Sequence, residues 1–221
     1  MQKVILPSYT VAEERLNYIS HGTGAALGVA ALVLCLVKAA RSGSGYAVTA
    51  ALVYGSSLIF LYMGSTFYHW AKPGKLKKVL RVIDHSLVFL LISGSLTPYC
   101  LVSLRAGYPV QAWAGLAAAW LGSVLGIVLT AVDQEKFKAV QMILYLAIGW
   151  MVMVFIKPLR AVFSGEKYPG LVLLFVGGIL YTFGAVLFGI GKKIKFFHGV
   201  FHIFVLGGSV LMFLSVYLYV F

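Results

Sequence analysis

Seven apolar runs follow one another along this chain, at approximately 19–40, 46–70, 80–104, 109–131, 138–157, 169–190 and 198–220. Each has the length of a helix that crosses a bilayer, roughly 20 residues. The breaks between them are short and carry turn and charge punctuation: Arg41-Ser42-Gly43-Ser44-Gly45, Lys72-Pro73-Gly74-Lys75, Gly107-Tyr108-Pro109, Asp133-Gln134-Glu135-Lys136, Lys157-Pro158, Ser164-Gly165-Glu166-Lys167 and Gly191-Lys192-Lys193. The chain therefore reads as an all-α integral membrane protein, a seven-transmembrane-helix bundle. Residues 1–221 form one membrane domain, since connections this short leave no room for a second. Composition agrees: 61% of residues are hydrophobic and 11% charged, far from a soluble globular balance.

The formal net charge of +12 does not point to nucleic acid, because the cations sit in the breaks rather than along one face or tail. They read instead as topology signals. Lys3 and Arg15 precede or open the first run, Lys72, Lys75, Lys77, Lys78 and Arg81 crowd the second loop, Lys136 and Lys138 the fourth, and Lys192, Lys193 and Lys195 the sixth. The opposite side holds only Lys38, Arg41, Arg105, Lys157, Arg160 and Lys167. Cytoplasmic loops carry the excess, so the N-terminus is expected in the cytoplasm and the C-terminus outside. The segment Met1 to Asn17 lacks the apolar core and cleavage site of a secretory signal, so the first run is expected to stay in the mature protein. Cys35 and Cys100 lie inside apolar runs and read as buried thiols. Gly24 with Gly28 and Gly122 with Gly126 have the spacing that lets membrane helices approach closely.

Ionisable side chains within membrane spans are costly and are candidates for function. His69 ends the second run, Asp84 and His85 open the third, His198 and His202 open the seventh, and His21 follows Ser20 at the start of the first. With the expected topology all of them fall in one layer. His198 and His202 are four apart, so their rings share a helix face. Three neutral imidazoles with one open position make a catalytic zinc site, and we take His69, His198 and His202 as candidate metal ligands. Asp84 is then the candidate general base, and Ser65, one turn before His69, a candidate partner for Asp84 or for a bound water. Spacing alone also admits the plain alternative that each histidine sits at the interface. That alternative is at least as good for His85, and His21 is similar. Ser20 or Asn17 is expected to cap the first helix, with Glu13 and Glu14 favourable at its N-terminal dipole.

Four motifs together, Glu14-x-x-Asn17-x-x-Ser20-His21, Ser65-x-x-x-His69, Asp84-His85-Ser86 followed by Gly94-Ser95-x-x-Pro98, and His198-x-x-x-His202, resemble the hemolysin III branch of the progestin and adipoQ receptor family. The resemblance covers essentially the whole chain. It implies seven membrane helices with a cytoplasmic N-terminus, and zinc held by the residues matching His69, His198 and His202 with Asp84 and Ser65 nearby. It also implies a distant relation to adiponectin receptors and alkaline ceramidases, which are linked to lipid amide hydrolysis. Short bacterial members of this branch are associated with membrane lipid homeostasis, which would place the chain in a bacterial plasma membrane with the metal site near the cytoplasmic side.

The resulting expectation is a zinc-dependent hydrolase acting on a lipid amide or ester, with membrane lipids as partners and an acyl chain lodged in an intramembrane cavity. A sensor or regulator with a structural zinc is the alternative, and a haemolytic pore-former ranks last because no span carries a continuous polar stripe. A retinal protein is excluded by the absence of lysine between Gly199 and Phe221. A G-protein-coupled receptor would have the opposite orientation.

Overall fold

In a computed structural model, which describes residues 4–190 and 194–221, the chain is helical nearly throughout and seven helices are long and apolar enough to cross a membrane. They are Val11–Arg41, Gly45–Trp70, Lys75–Leu104, Pro109–Asp133, Lys138–Val162, Gly165–Gly189 and Phe197–Val220, called the first to seventh spans below. The protein is an integral membrane protein. Lys3, Lys192 and Lys193, counted in the charge argument, lie outside the described residues.

The first helix starts well before its apolar run. Thr10 is its N-cap, rather than Ser20 or Asn17: the Glu13 amide donates to Thr10 Oγ1 at 3.3 Å, and the Thr10 amide donates back to Glu13 Oε2 at 2.9 Å. This reciprocal box satisfies two otherwise orphaned donors. The extra turns carry Glu13, Glu14 and Asn17 into the bundle, where apolar periodicity alone would not have placed them. The third span changes pitch after Pro98: from Tyr99 to Leu104 it widens to a π-helix, and the Arg105 amide reaches back to the Cys100 carbonyl at 3.1 Å. Proline lacks the amide that would continue the regular ladder, which makes such a local widening favourable.

Neighbouring spans pack in sequence, and the first also packs on the seventh, closing a ring. The third is the most enclosed, with 67% of its most apolar window buried against 17% for the fifth. The fifth therefore turns most of its surface to lipid, and the third forms the inner wall. Because lipid tails are as apolar as leucine, close packing and interhelical hydrogen bonds hold such helices together. Ser93 Oγ and Ser123 Oγ lie 2.5 Å apart and join the third and fourth spans. Tyr62 donates to Ser209 Oγ at 2.6 Å, which also meets Tyr181 at 2.8 Å, joining the second, seventh and sixth. Tyr99 donates to Ser215 Oγ at 2.7 Å, and Ser215 to the Gly170 carbonyl at 2.6 Å. Glycine earns its place at two contacts: a Cβ on Gly24 would stand 2.5 Å from the Tyr62 ring, and one on Gly126 2.2 Å from the Phe89 ring.

Candidate metal centre

The end of the second span and the start of the seventh bring three imidazoles together. His198 Nε2 is 3.2 Å from His69 Nε2 and 3.1 Å from His202 Nε2, and all three rings are buried. Among the described residues this is the group of histidine, cysteine and carboxylate side chains whose ligand atoms converge closely enough to hold a metal ion.

Hydrogen bonding to the outer nitrogens determines what the inner ones can be. His69 Nδ1 lies 2.6 Å from Glu14 Oε2 and 3.3 Å from Asn17 Nδ2; the shorter contact to the carboxylate decides, so Nδ1 carries the proton and donates to Glu14. His202 Nδ1 lies 3.3 Å from the Asn17 carbonyl oxygen and 3.4 Å from Ser20 Oγ, which itself donates to that carbonyl at 2.9 Å. It too must be the protonated nitrogen. In the neutral rings, Nε2 of His69 and of His202 is then a bare lone pair, and both face His198 Nε2. One N–H on His198 can satisfy one of them and not both. A cation at the centre resolves the conflict, and nitrogens sharing a tetrahedral ion at about 2.0–2.1 Å lie roughly 3.3 Å apart. The donor set fits a metal ion.

The surroundings hold this arrangement from several helices. Glu14 also accepts from the buried Lys77 Nζ at 2.7 Å, and Lys77 donates further to the carbonyls of Ala71 at 2.9 Å and His69 at 3.4 Å. Glu13 accepts from the Phe196 amide at 2.9 Å, fixing the residue that precedes the seventh span in a left-handed conformation, φ 64°. That conformation is uncommon for a bulky residue and marks a constrained entry into the His198 turn. The Tyr9 ring stacks on His198 with centroids 5.1 Å apart, covering the site from outside the spans. Burial raises the Tyr9 phenol well above its ordinary range, with the Glu14 carboxylate adding to the effect, so this cover is neutral.

On the inner side lies a cavity of about 170 Å³ with a mostly apolar lining. His198, His202, Asp84 and Ser65 all contribute to its wall. Asp84 and Ser65 therefore share a space with the histidines, but Asp84 is outside the set of converging ligand atoms. Ser65 is the polar neighbour of Asp84 from the second span, yet its Oγ is buried without a partner in hydrogen-bond geometry. His21 is not interfacial. Its ring stacks on His202 at 3.6 Å, meets the Tyr62 ring edge-on at 5.0 Å, and lines the cavity with both nitrogens unpartnered. His85 also lines the cavity, and its carbonyl accepts from Tyr145 at 2.7 Å.

Sequence reading treated Glu14 as a helix-dipole charge and Lys77 as a topology marker, and so missed their part in the site. A signal was available: Glu14, Asn17 and His21 recur at three and four residues and share one helix face.

Residues 9–213 match the model of the family described as haemolysin-III related. The chain belongs to that family. It is 38% identical to Hemolysin-3 of Bacillus cereus over 219 residues, covering 99% of this chain and 97% of that protein. It is also 38% identical to the Hemolysin-3 homolog of Bacillus subtilis (strain 168), with 96% of each covered. A more distant relative, the human monocyte to macrophage differentiation factor, is 26% identical over 77% of this chain and 70% of its own length. That distant relative fits the progestin and adipoQ receptor family named from the motifs. In this haemolysin-III-related chain, the three-histidine cluster is thus built on a shared whole-length framework rather than on an isolated motif.

Proposed function

We propose that this chain is a zinc-dependent membrane hydrolase that cleaves a lipid amide or ester and so adjusts membrane lipid composition. The observation that carries the proposal is the apolar cavity whose wall contains two of the three histidines together with Asp84. It offers an acyl chain a dry space that ends at a cation site and a carboxylate. A bound zinc ion supplies Lewis acidity toward a carbonyl oxygen and brings the pKa of a water near about 7. His69, His198 and His202 hold it, with Glu14 and the Asn17 carbonyl fixing the tautomers. Asp84 accepts a proton from the attacking water and returns it to the leaving group, and the unpartnered Ser65 hydroxyl is available to the Asp84 carboxylate or to that water. The positive-inside count supports a cytoplasmic position for this end of the bundle, and on this reading the membrane is the plasma membrane.

The test combines metal analysis of the purified chain, with anomalous scattering at the zinc edge, and turnover of a panel of ceramides, acyl amides and esters. Zinc at one equivalent with turnover that Asp84→Asn abolishes supports the reading. Zinc at one equivalent with no turnover of any lipid rejects the enzyme and leaves the metal site standing.

One observation favours a second reading, a regulator with structural zinc. The histidines link the second and seventh spans, which lack extensive direct packing on each other. On that reading His202→Ala lowers thermal stability, whereas Asp84→Asn leaves the cellular phenotype intact.

A further inference from the structure

The cavity extends well beyond the histidines. On the third span its wall includes Asp84, Val88, Leu91 and Ser95. Spacings of four, three and four residues put these side chains on one face of the helix. Asp84 and Ser95 are separated by 95 − 84 = 11 residues, about three turns. At about 1.5 Å per residue they leave the helix in nearly the same direction, roughly 16 Å apart along its axis. The seventh span runs alongside with His202 near one end of the cavity and Met212 toward the other. An apolar space with a polar head end, lined along three turns of one helix, suits an extended lipid chain.

At the far end one polar atom is out of keeping with its surroundings. Ser95 is 5% exposed, and its Oγ has no hydrogen-bond partner. Serine and threonine in a helix commonly bond the carbonyl one turn back. Thr97 does so to Ser93 at 2.7 Å and Thr182 to Gly178 at 2.9 Å. Other polar groups lining this half of the cavity are also engaged: Trp150 Nε1 donates to Thr182 Oγ1 at 2.9 Å, and Tyr181 shares a hydrogen bond with Ser209. The unpartnered atoms of His21 and Ser65 belong to the histidine end. Among the described residues that line this half of the cavity, Ser95 is the one whose side-chain oxygen has no hydrogen-bond partner. An unmade hydrogen bond in a dry wall is costly, and a hydroxyl brought into the space by a ligand can make it once the Ser95 side chain turns toward it.

We propose that the cavity takes an acyl chain bearing a hydroxyl group deep along its length, and that Ser95 reads that hydroxyl. The position follows from the geometry: a separation of roughly 16 Å corresponds to about 12–13 bonds from the carboxyl carbon, at about 1.25 Å of advance per carbon–carbon bond of about 1.5 Å, which reaches about the thirteenth or fourteenth carbon. The head group then sits at the histidines, so the inference rests on the proposed reading of where the lipid's polar end binds. It does not require that the lipid be cleaved.

Competitive binding to the full chain in lipid nanodiscs tests this, with octadecanoate and a series of its monohydroxy isomers whose hydroxyl moves from near the carboxylate to near the methyl end. The wild type is expected to show a preference that peaks about tenfold over octadecanoate, the value of one hydrogen bond, at roughly the thirteenth or fourteenth carbon. Ser95→Ala is expected to flatten the profile while binding octadecanoate at least as well as wild type. A flat wild-type profile overturns the proposal without recourse to any variant. A peak that persists in Ser95→Ala overturns it too. Free acids need no hydrolysis, so a peak without lipid turnover upholds the hydroxyl subsite and rejects the hydrolase. Turnover with a flat profile rejects the subsite alone.

Discussion

Glu14 offers the sharpest test of the candidate metal centre, because it is not one of the three candidate ligands and yet fixes the orientation of one. Its two carboxylate oxygens serve different donors, Oε2 the His69 Nδ1 at 2.6 Å and Oε1 the Lys77 Nζ at 2.7 Å. Glu14→Gln preserves the shape and removes one acceptor. If the amide oxygen turns to His69, the amide NH2 faces the Lys77 ammonium, and two charge-assisted bonds become one neutral bond and one repulsive contact. Groups that orient a ligating histidine are typically worth 10–100-fold in metal affinity. That corresponds to about 1.4–2.7 kcal/mol, the loss expected here. Stability should fall as well, since breaking a buried pair costs about 3–5 kcal/mol when the remaining charge is unpaired. The carbonyls of Ala71 and His69 still accept from Lys77, so the actual cost should lie below that range. Glu14→Gln/Lys77→Met separates the two effects: removing the stranded ammonium recovers thermal stability but not metal affinity. Chelator competition on the purified protein measures the first quantity and thermal unfolding in detergent the second. Unchanged metal affinity in Glu14→Gln would refute the assignment of the His69 tautomer, and with it the lone-pair argument for a central cation.

Further changes probe other parts of the molecule. Asp84→Asn should retain bound metal while lipid turnover falls by about 10²–10⁴-fold, the usual contribution of a positioned acid–base group; metal content and turnover are read on the same preparation. Gly126→Ala forces a methyl group to within 2.2 Å of the Phe89 ring and should cost about 1–3 kcal/mol in unfolding free energy. Arg81→Met should destabilise the protein by stranding Glu135, its partner at 2.6 Å, and Arg81→Met/Glu135→Gln should recover most of the loss in thermal unfolding.

Hydrophobic run length reveals the seven helices because the bilayer imposes it on each helix separately, and no knowledge of neighbours is needed. The pairing of His198 with His202 is legible for a similar reason: both belong to one helix, and the helical period puts them on one face. That His69 joins them depends on how the second span is rotated relative to the seventh, which single-helix periodicity does not specify. The motif resemblance supplied that link, and the 3.2 Å separation of His69 and His198 agrees with it. The inward roles of Glu14, Lys77 and Arg81 went unrecognised: Glu14 does lie in the first turn, as expected from the helix dipole, but a dipole names no partner, and charge counting asks only on which side of the bilayer a Lys or Arg falls. All three lie near span ends, where a long side chain can either reach solvent or turn inward. Lys77 and Arg81 turn inward because Glu14 and Glu135 meet them there. His21 went unrecognised for the opposite reason, as its partner is an aromatic face on another helix rather than a polar group at a readable spacing.

The first span emerges as the element that sets up the candidate metal centre, although it supplies none of the three candidate ligands. It packs on both the second and the seventh spans, which carry those ligands. From one face it presents Glu14 to His69, the Asn17 carbonyl to His202, and the His21 ring against the His202 plane. Without those acceptors either imidazole could flip or exchange tautomers, and the inward lone pair would no longer be guaranteed. Three histidines at the right spacing are therefore necessary but insufficient. A chain with the same triad, but with an apolar residue at the position of Glu14, should bind metal more weakly however well its second and seventh helices align.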